Sequence, residues 1–213
     1  MLIFDFFAGT GSSTLAFEQA GDTVIKVELD EQFEAHERNV LSLTADYLLN
    51  TYGQPHFIWA SPPCTTFSVA SIGRHWDKHK QPKTQQAQLG LALVMKTIEL
   101  IQQLKPSIGY LIENPRGMLR KQTIMAMPRH TVTYCQYGDK RMKPTDLFGQ
   151  LPTWQPKPTC KSGDSCHEAA PRGSRTGTQG IKGSKLRSMI PYELSQSICD
   201  AVHKAHDTPK EYA

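Results

Sequence analysis

No stretch of this chain stays apolar for the roughly 20 residues that a membrane span requires. No basic, apolar leader opens it, because "MLIFDFFAGTG" carries an acid at Asp5. Cysteine is sparse: Cys64, Cys135, Cys160, Cys166 and Cys199, odd in number and scattered. That pattern argues against a small disulfide-stapled secreted domain and for the reducing cytoplasm. No internal repeat is visible, so a solenoid is excluded. What remains is a cytoplasmic chain of 213 residues, long enough to bury a full core as one domain.

Charge is unevenly placed. Residues 1–114 carry 8 Lys and Arg against 12 Asp and Glu, whereas residues 115–187 carry 14 against 4. A basic second half on an acidic first half suggests a polyanionic partner for the former. The candidate contacts are Arg74 and Lys78 in the polar stretch 69–86, with Arg141, Arg172, Arg175 and Lys182 further on.

Periodicity supplies the fold class. "LIFDFFAG" (2–9) reads as a buried strand running into glycine, "SSTLAFEQAG" (12–21) as a helix, "TVIKVELD" (23–30) as a second strand and "EQFEAHERNVLSL" (31–43) as a second helix. "HFIWA" (56–60) is a third strand, residues 87–104 a long amphipathic helix, and "IGYLIENP" (108–115) a further strand. "HTVTYCQYG" (130–138) alternates like a later strand, and 191–207 like a closing helix. Strands alternating with helices predict an α/β fold with a mostly parallel, doubly wound, Rossmann-like sheet. Residues 1–149 form the expected core, 150–187 a loop-rich basic insertion, and 188–213 the helix that completes the core. Residues 69–86 are expected to be a mobile surface loop.

Three sequence features carry chemistry. Gly9 and Gly11 mark the first strand-to-helix turn, where backbone can approach a nucleotide-like ligand. Glu28 ends the second strand, where a carboxylate accepts hydrogen bonds from ribose hydroxyls. Thr14 stands where a dinucleotide fingerprint needs its third glycine, which disfavours a nicotinamide-dependent oxidoreductase. Cys64 follows Pro62 and Pro63 at a strand exit, and Glu113 ends another strand just before Asn114 and Pro115. A thiolate and a protonated carboxyl facing one ligand suit attack on an electron-poor ring while that ring is protonated.

Taken in order, these segments resemble the cytosine carbon-5 DNA methyltransferases. "DFFAGTG", "VELD", "TADY", "SPPCTTFS" and "IENP" are similar to successive motifs of that family, along nearly the whole chain. The resemblance implies the fold of the class I S-adenosylmethionine-dependent methyltransferases, with S-adenosylmethionine as cofactor. It implies cofactor contacts from Phe7, Ala8, Gly9, Thr10, Gly11 and Ser12, from Glu28 and Leu29, from Asp46 and Tyr47, and from Ser61 and Ser188. It implies Cys64 as nucleophile, Glu113 at the cytosine edge, and a monomer acting on double-stranded DNA. An RNA (tRNA) cytosine carbon-5 methyltransferase and a non-catalytic nucleic-acid-binding member of the fold are the alternatives.

The chain departs from the family after "YG": Arg141 stands at the usual Gln, Lys143 at the first Arg and Thr145 at the second. Lys143 is expected to keep the positive charge beside the base. Only ~35 residues take the place of a target-recognition domain, a third or less of a typical domain, so the chain resembles a compact version of the family such as phage genomes carry. In it, Cys160-x5-Cys166-His167 has neither zinc-finger spacing nor an evident fourth ligand. Packed thiols and no metal are expected.

Overall fold

The computed structural model describes residues 1–168 and 183–208. Six short segments become strands, the central ones buried on both faces: β1 (Leu2–Phe6), β2 (Thr23–Val27), β3 (Phe57–Ala60), β4 (Gly109–Pro115), β5 (Arg129–Thr133) and β6 (Pro144–Gln150). They form one sheet in the order β2-β1-β3-β4-β6-β5. The pairings from β2 through β4 are parallel, and β6 runs antiparallel to both β4 and β5.

Alternate residues along each strand face opposite ways, so the sheet has two cores. Phe4, Phe6, Ile58, Ala60 and Ile112 pack under α2 (Ala45–Tyr52) and α4 (Gln85–Leu104). Ile3, Phe57, Trp59 and Leu111 pack under α1 (Leu15–Gln19) and α6 (Tyr192–Asp207). The expected doubly wound α/β architecture is therefore present. Helix α4 starts where the Thr84 side chain accepts from the Ala87 amide (3.2 Å), and ends at Lys105, in the left-handed region (φ 47°) just before Pro106.

Register explains where a site forms. Phe6 pairs with Val27 on one side and Ala60 on the other, and Ala60 pairs with Ile112. The next residues, Glu28, Phe7, Ser61 and Glu113, consequently stand in a row along the carboxyl edge of the parallel strands, where open α/β sheets bind ligands.

Four expectations need correction. The helix expected at 31–43 is absent. The His36 and Glu37 amides instead donate to the Lys26 carbonyl (2.9 and 3.2 Å), and the Glu28 amide donates to the Glu37 carbonyl (3.0 Å). The exposed backbone of the edge strand β2 captures this segment. The helix begins later, at Ala45, where the Thr44 hydroxyl caps the Tyr47 amide (3.2 Å). The strand expected across 130–138 stops at Thr133 and tightens into a 3₁₀ turn, Tyr134–Tyr137. β6 went unread, because "PTDLFGQ" opens on a proline and shows little alternation.

Finally, 69–86 is anchored rather than a free surface loop. It contains α3 (Ile72–His75) and the buried Trp76, whose indole N–H donates to the Thr66 carbonyl (2.7 Å) and whose ring lies 5.4 Å from that of Phe67. The basic insertion also begins inside the core: Leu151 and Trp154 are buried, and Trp154 Nε1 donates to Ser197 Oγ (3.3 Å). It ends in α5 (Ser184–Ser188).

Candidate active site

The turn after β1 is sharp. Phe7 takes a left-handed conformation (φ 65°), and its amide and that of Ala8 both donate to the Val27 carbonyl (2.8 and 3.1 Å). A bulky residue with positive φ is costly and marks a functional constraint. Gly9 (φ 52°) and Gly11 (φ 71°) continue the turn. The Gly9 amide donates to Glu28 Oε2 (2.8 Å), and the Asp30 amide to Glu28 Oε1 (2.9 Å). Each oxygen keeps a further acceptor position, so the carboxylate is held in place and can still receive two hydroxyl donors. Ser12 Oγ accepts from the Ile190 amide (3.0 Å), tying the returning chain to this turn.

On the neighbouring strands, Cys64 and Glu113 are clamped together through backbone. Asn114 is fully buried, and its Nδ2 donates to the Pro62 carbonyl (2.9 Å). The Phe67 and Ser68 amides both donate to the Cys64 carbonyl (3.0 and 3.1 Å), and the Met118 amide donates to the Phe67 carbonyl (2.7 Å). The thiol loop therefore rests on the residues that follow Glu113.

Glu113 is buried and accepts from the Tyr134 hydroxyl (3.1 Å). Burial raises its pKa above the usual carboxylate value, partly offset by Lys143 and the Tyr134 bond. Burial likewise pushes the half-buried Cys64 thiol up, Glu113 adds to that, and Lys143 and Arg187 pull it down. The Lys143 ammonium is itself drawn down by burial and supported by Glu113 and Cys64. Lys143, with φ 28°, donates to the Arg187 carbonyl (3.0 Å) and lies 4.4 Å from the centre of the Tyr134 ring.

Thiol, carboxyl and ammonium all line one cavity of about 200 Å³. Of the residues named from sequence, Phe7, Ala8, Gly9, Thr10, Ser12, Glu28, Ser61, Cys64, Glu113, Lys143 and Ser188 line it. Gly11 shapes the turn beneath, its amide bonded to the Ala8 carbonyl (2.8 Å). Leu29, Asp46 and Tyr47 lie outside, exposed; the Tyr47 hydroxyl donates to Glu37 (2.8 Å).

Arg141 was expected on a nucleic-acid face and is not there. It is buried, its guanidinium paired with Asp139 and donating to the Leu186 and Arg187 carbonyls (3.3 and 3.2 Å). Its donors brace the returning chain and are not available to a phosphate. Arg74 and Lys78 are exposed, and Arg74 lines a groove beside the thiol loop with Pro63 and Thr65. Arg172, Arg175 and Lys182 lie outside the described residues.

Sequence reading gave no role to Tyr134 and none to the Asn114 amide. Tyr134 lies after the β5 strand, and its position against Glu113 depends on the β5–β6–β4 pairing. Asn114 carried a signal, being adjacent to Glu113 and a proline, but its partner lies 52 residues away.

Set against known proteins, residues 1–131 match the family model for C-5 cytosine-specific DNA methylase. A protein of Frog virus 3 (isolate Goorha), named "Probable DNA (cytosine-5)-methyltransferase", is 31% identical over 218 residues, covering 94% of this chain and 99% of that protein. The solved structure of the Entamoeba histolytica methyltransferase EhMeth is 12% identical with a TM-score of 0.52, over 74% of this chain and 55% of that one. This chain thus spans about half the length of that solved relative, and the likeness is one of fold. With the glycine turn, thiol and carboxyl along one sheet edge, the match over residues 1–131 and the 31% identical relative show that the chain belongs to the C-5 cytosine-specific DNA methylase family.

Proposed function

We propose that this chain is a DNA (cytosine-5-)-methyltransferase that uses S-adenosylmethionine and forms a covalent adduct between Cys64 and a cytosine turned out of the duplex. The observation that carries the reading is the shared cavity. Cys64, Glu113 and Lys143 line the same space as the Phe7–Ser12 turn and Glu28. The donor set fits the cofactor: Glu28 is oriented by two amides with acceptor capacity left for a ribose diol, and the glycine turn keeps bulk away. When bound, S-adenosylmethionine supplies an electrophilic sulfonium methyl group.

The chain's residues supply the rest. Carbon 5 of cytosine is a poor nucleophile. Addition of the Cys64 thiolate to carbon 6, with the Glu113 proton passing to ring nitrogen 3, makes carbon 5 enamine-like and able to take a methyl group. The carbon-5 proton then passes to solvent, its C–H electron pair re-forms the ring double bond as the carbon 6–sulfur bond breaks and expels the Cys64 thiolate, and nitrogen 3 returns its proton to Glu113. A carboxyl that burial inclines to keep its proton suits this task. Lys143 supplies the one cation that lines the cavity among the described residues, easing formation of the thiolate. The ring is attacked on its face, which stacking hides, so the base must leave the helix.

The enzyme is read as a monomer acting on double-stranded DNA in a reducing cytoplasm, that of a host cell if it is phage-encoded. The odd, scattered cysteines and the basic second half support this reading, and no helix among the described residues is long and apolar enough to cross a membrane. The test is an oligonucleotide with 5-fluorocytosine, whose fluorine cannot leave as a proton does. Wild type accumulates a covalent complex and Cys64→Ala does not, while radiolabelled methyl transfer by Cys64→Ala falls to background with cofactor affinity retained. Near-normal transfer by the alanine variant overturns the reading.

A further inference from the structure

The residues least explained by methyl transfer are three of the remaining cysteines. Cys160, Cys166 and His167 lie in the basic insertion, and the fold adds a fourth group that the spacing did not reveal. Cys135 sits in the 3₁₀ turn after β5, with 24 residues between it and Cys160 in sequence. The four ligand atoms all lie within 4.8 Å of one another. Cys135 Sγ is 3.1 Å from Cys160 Sγ and 3.5 Å from Cys166 Sγ. His167 Nδ1 is 3.8 Å from Cys160 Sγ and 3.6 Å from Cys166 Sγ.

We infer that Cys135, Cys160, Cys166 and His167 bind one structural zinc ion that fastens the insertion to the catalytic core. Zinc–sulfur bonds of about 2.3 Å and a zinc–nitrogen bond of about 2.0 Å give a tetrahedron with S–S edges of about 3.8 Å and S–N edges of about 3.5 Å. The observed S–N separations match. Cys135 Sγ stands inside that spacing, by about 0.7 Å toward Cys160 and about 0.3 Å toward Cys166, so a zinc ion would push it outward. Three sulfurs and an imidazole nitrogen form the soft, closed donor set that selects zinc and leaves no open position for catalysis. Binding releases the three thiol protons to solvent as three Zn–S bonds form.

Two further observations support the site. Its outer contacts are in place: the Gln136 side-chain Nε2 donates to Cys166 Sγ (3.4 Å), the Cys160 backbone amide donates to Thr133 Oγ1 (3.0 Å), and the Glu168 backbone amide donates to the Lys140 carbonyl (3.0 Å). Such second contacts orient ligands in metal sites. The segment is otherwise tied mainly at its start, where the Lys157 amide donates to the Tyr137 hydroxyl (2.8 Å) and its ammonium to the Gln136 carbonyl (2.9 Å). From Gln155 to Glu168 it contains no helix or strand, and Cys160 is its one buried residue. A chain without a core is held by a metal or by disulfides. Cys135 follows Tyr134, which bonds Glu113, so the ion sets the insertion directly beside the active site.

The experiment measures metal in the full-length protein purified without chelator. One zinc per chain is expected by elemental mass spectrometry. Cys135→Ser, Cys166→Ser and His167→Ala are each expected to lose at least nine-tenths of it, with His167→Cys retaining it. Cys199→Ala, a buried cysteine elsewhere, keeps its zinc. Should the variants fail to fold, wild type decides. Stripped of metal and titrated with cobalt, it is expected to develop the intense visible bands of tetrahedral cobalt thiolate, saturating at one equivalent. Wild type that carries no zinc and gives no such bands overturns the inference, as does full zinc occupancy in Cys135→Ser. An unreduced protein lighter by two hydrogen atoms, with no bound metal, also overturns it and assigns a disulfide instead.

Discussion

The chemistry of this site turns on one lysine. Lys143 lines the same cavity as two groups that burial biases toward their protonated forms, Cys64 and Glu113. The reactive arrangement needs a thiolate and a protonated carboxyl together, so activity should follow a bell-shaped pH profile. Lys143 lowers the pKa of both groups. Its removal therefore raises both, and Lys143→Met should move both limbs of the profile toward alkaline pH. Activity near neutrality should fall and partly recover at higher pH, while Lys143→Arg keeps the wild-type profile. Measuring kcat/KM against pH checks this, and limbs that stay in place would show that Lys143 does not face the reacting groups.

At the scale of elements, the decisive contact is between the Cys64 loop and the residues after β4. Gly117 lies against the loop so closely that a Cβ there would stand 2.2 Å from the Phe67 carbonyl oxygen. No side-chain rotation relieves a clash with backbone. Gly117→Ala should displace the loop that carries Cys64 and destabilise the protein by about 1–3 kcal/mol. The Phe7–Ser12 turn belongs to other strands. Methyl transfer should thus fall by more than tenfold, with S-adenosylmethionine affinity by calorimetry within a factor of two of wild type. Equal losses in both would mean that the sheet edge moves as one body. The same scale explains the missing helix at 31–43. An edge strand offers unpaired backbone groups, and a nearby segment of weak amphipathicity pairs with them.

At the scale of the whole molecule, the sheet carries a buried acid, Asp5, one residue before the end of β1. Its Oδ2 accepts from the Ser13 and Thr14 hydroxyls (both 2.7 Å), while Oδ1 has no partner among the described residues. Burial raises its pKa from 3.8 to about 6, against the pull of those bonds. A raised carboxyl pKa means that the folded state holds the proton more tightly. The stability this brings is complete below pH 3.8 and is lost as pH rises through about 6. The cost above that pH is on the order of 3 kcal/mol. Asp5→Asn keeps an oxygen for the two hydroxyls and removes the charge. Thermal melts should show it more stable than wild type by several degrees at pH 7.5, with the gap closing toward pH 4. A gap independent of pH would assign the effect to packing.

Much of this protein is legible in its sequence because much of it is local. Pro62 and Pro63 restrict their own backbone, so Cys64 is expected on a rigid loop wherever the strand ends. Glycine after a buried strand, a carboxylate at the end of the next, and a 20-residue amphipathic helix all report steric and periodic constraints that act within a few residues. Those features gave the sheet edge and, with the family resemblance, most of the cavity-lining residues. What local reading cannot supply is pairing at a distance. Whether "PTDLFGQ" becomes a strand depends on β4 and β5 accepting its backbone. Whether Arg141 meets nucleic acid or the Leu186 and Arg187 carbonyls depends on where the returning chain lies. Cys135 and Cys160 are separated by a strand and a turn, and only the antiparallel β5–β6 pairing folds them together. The sequence by itself determined which residues are equipped for chemistry; the tertiary structure decided which of them meet, because contact across the chain is set by the sheet's register and not by spacing.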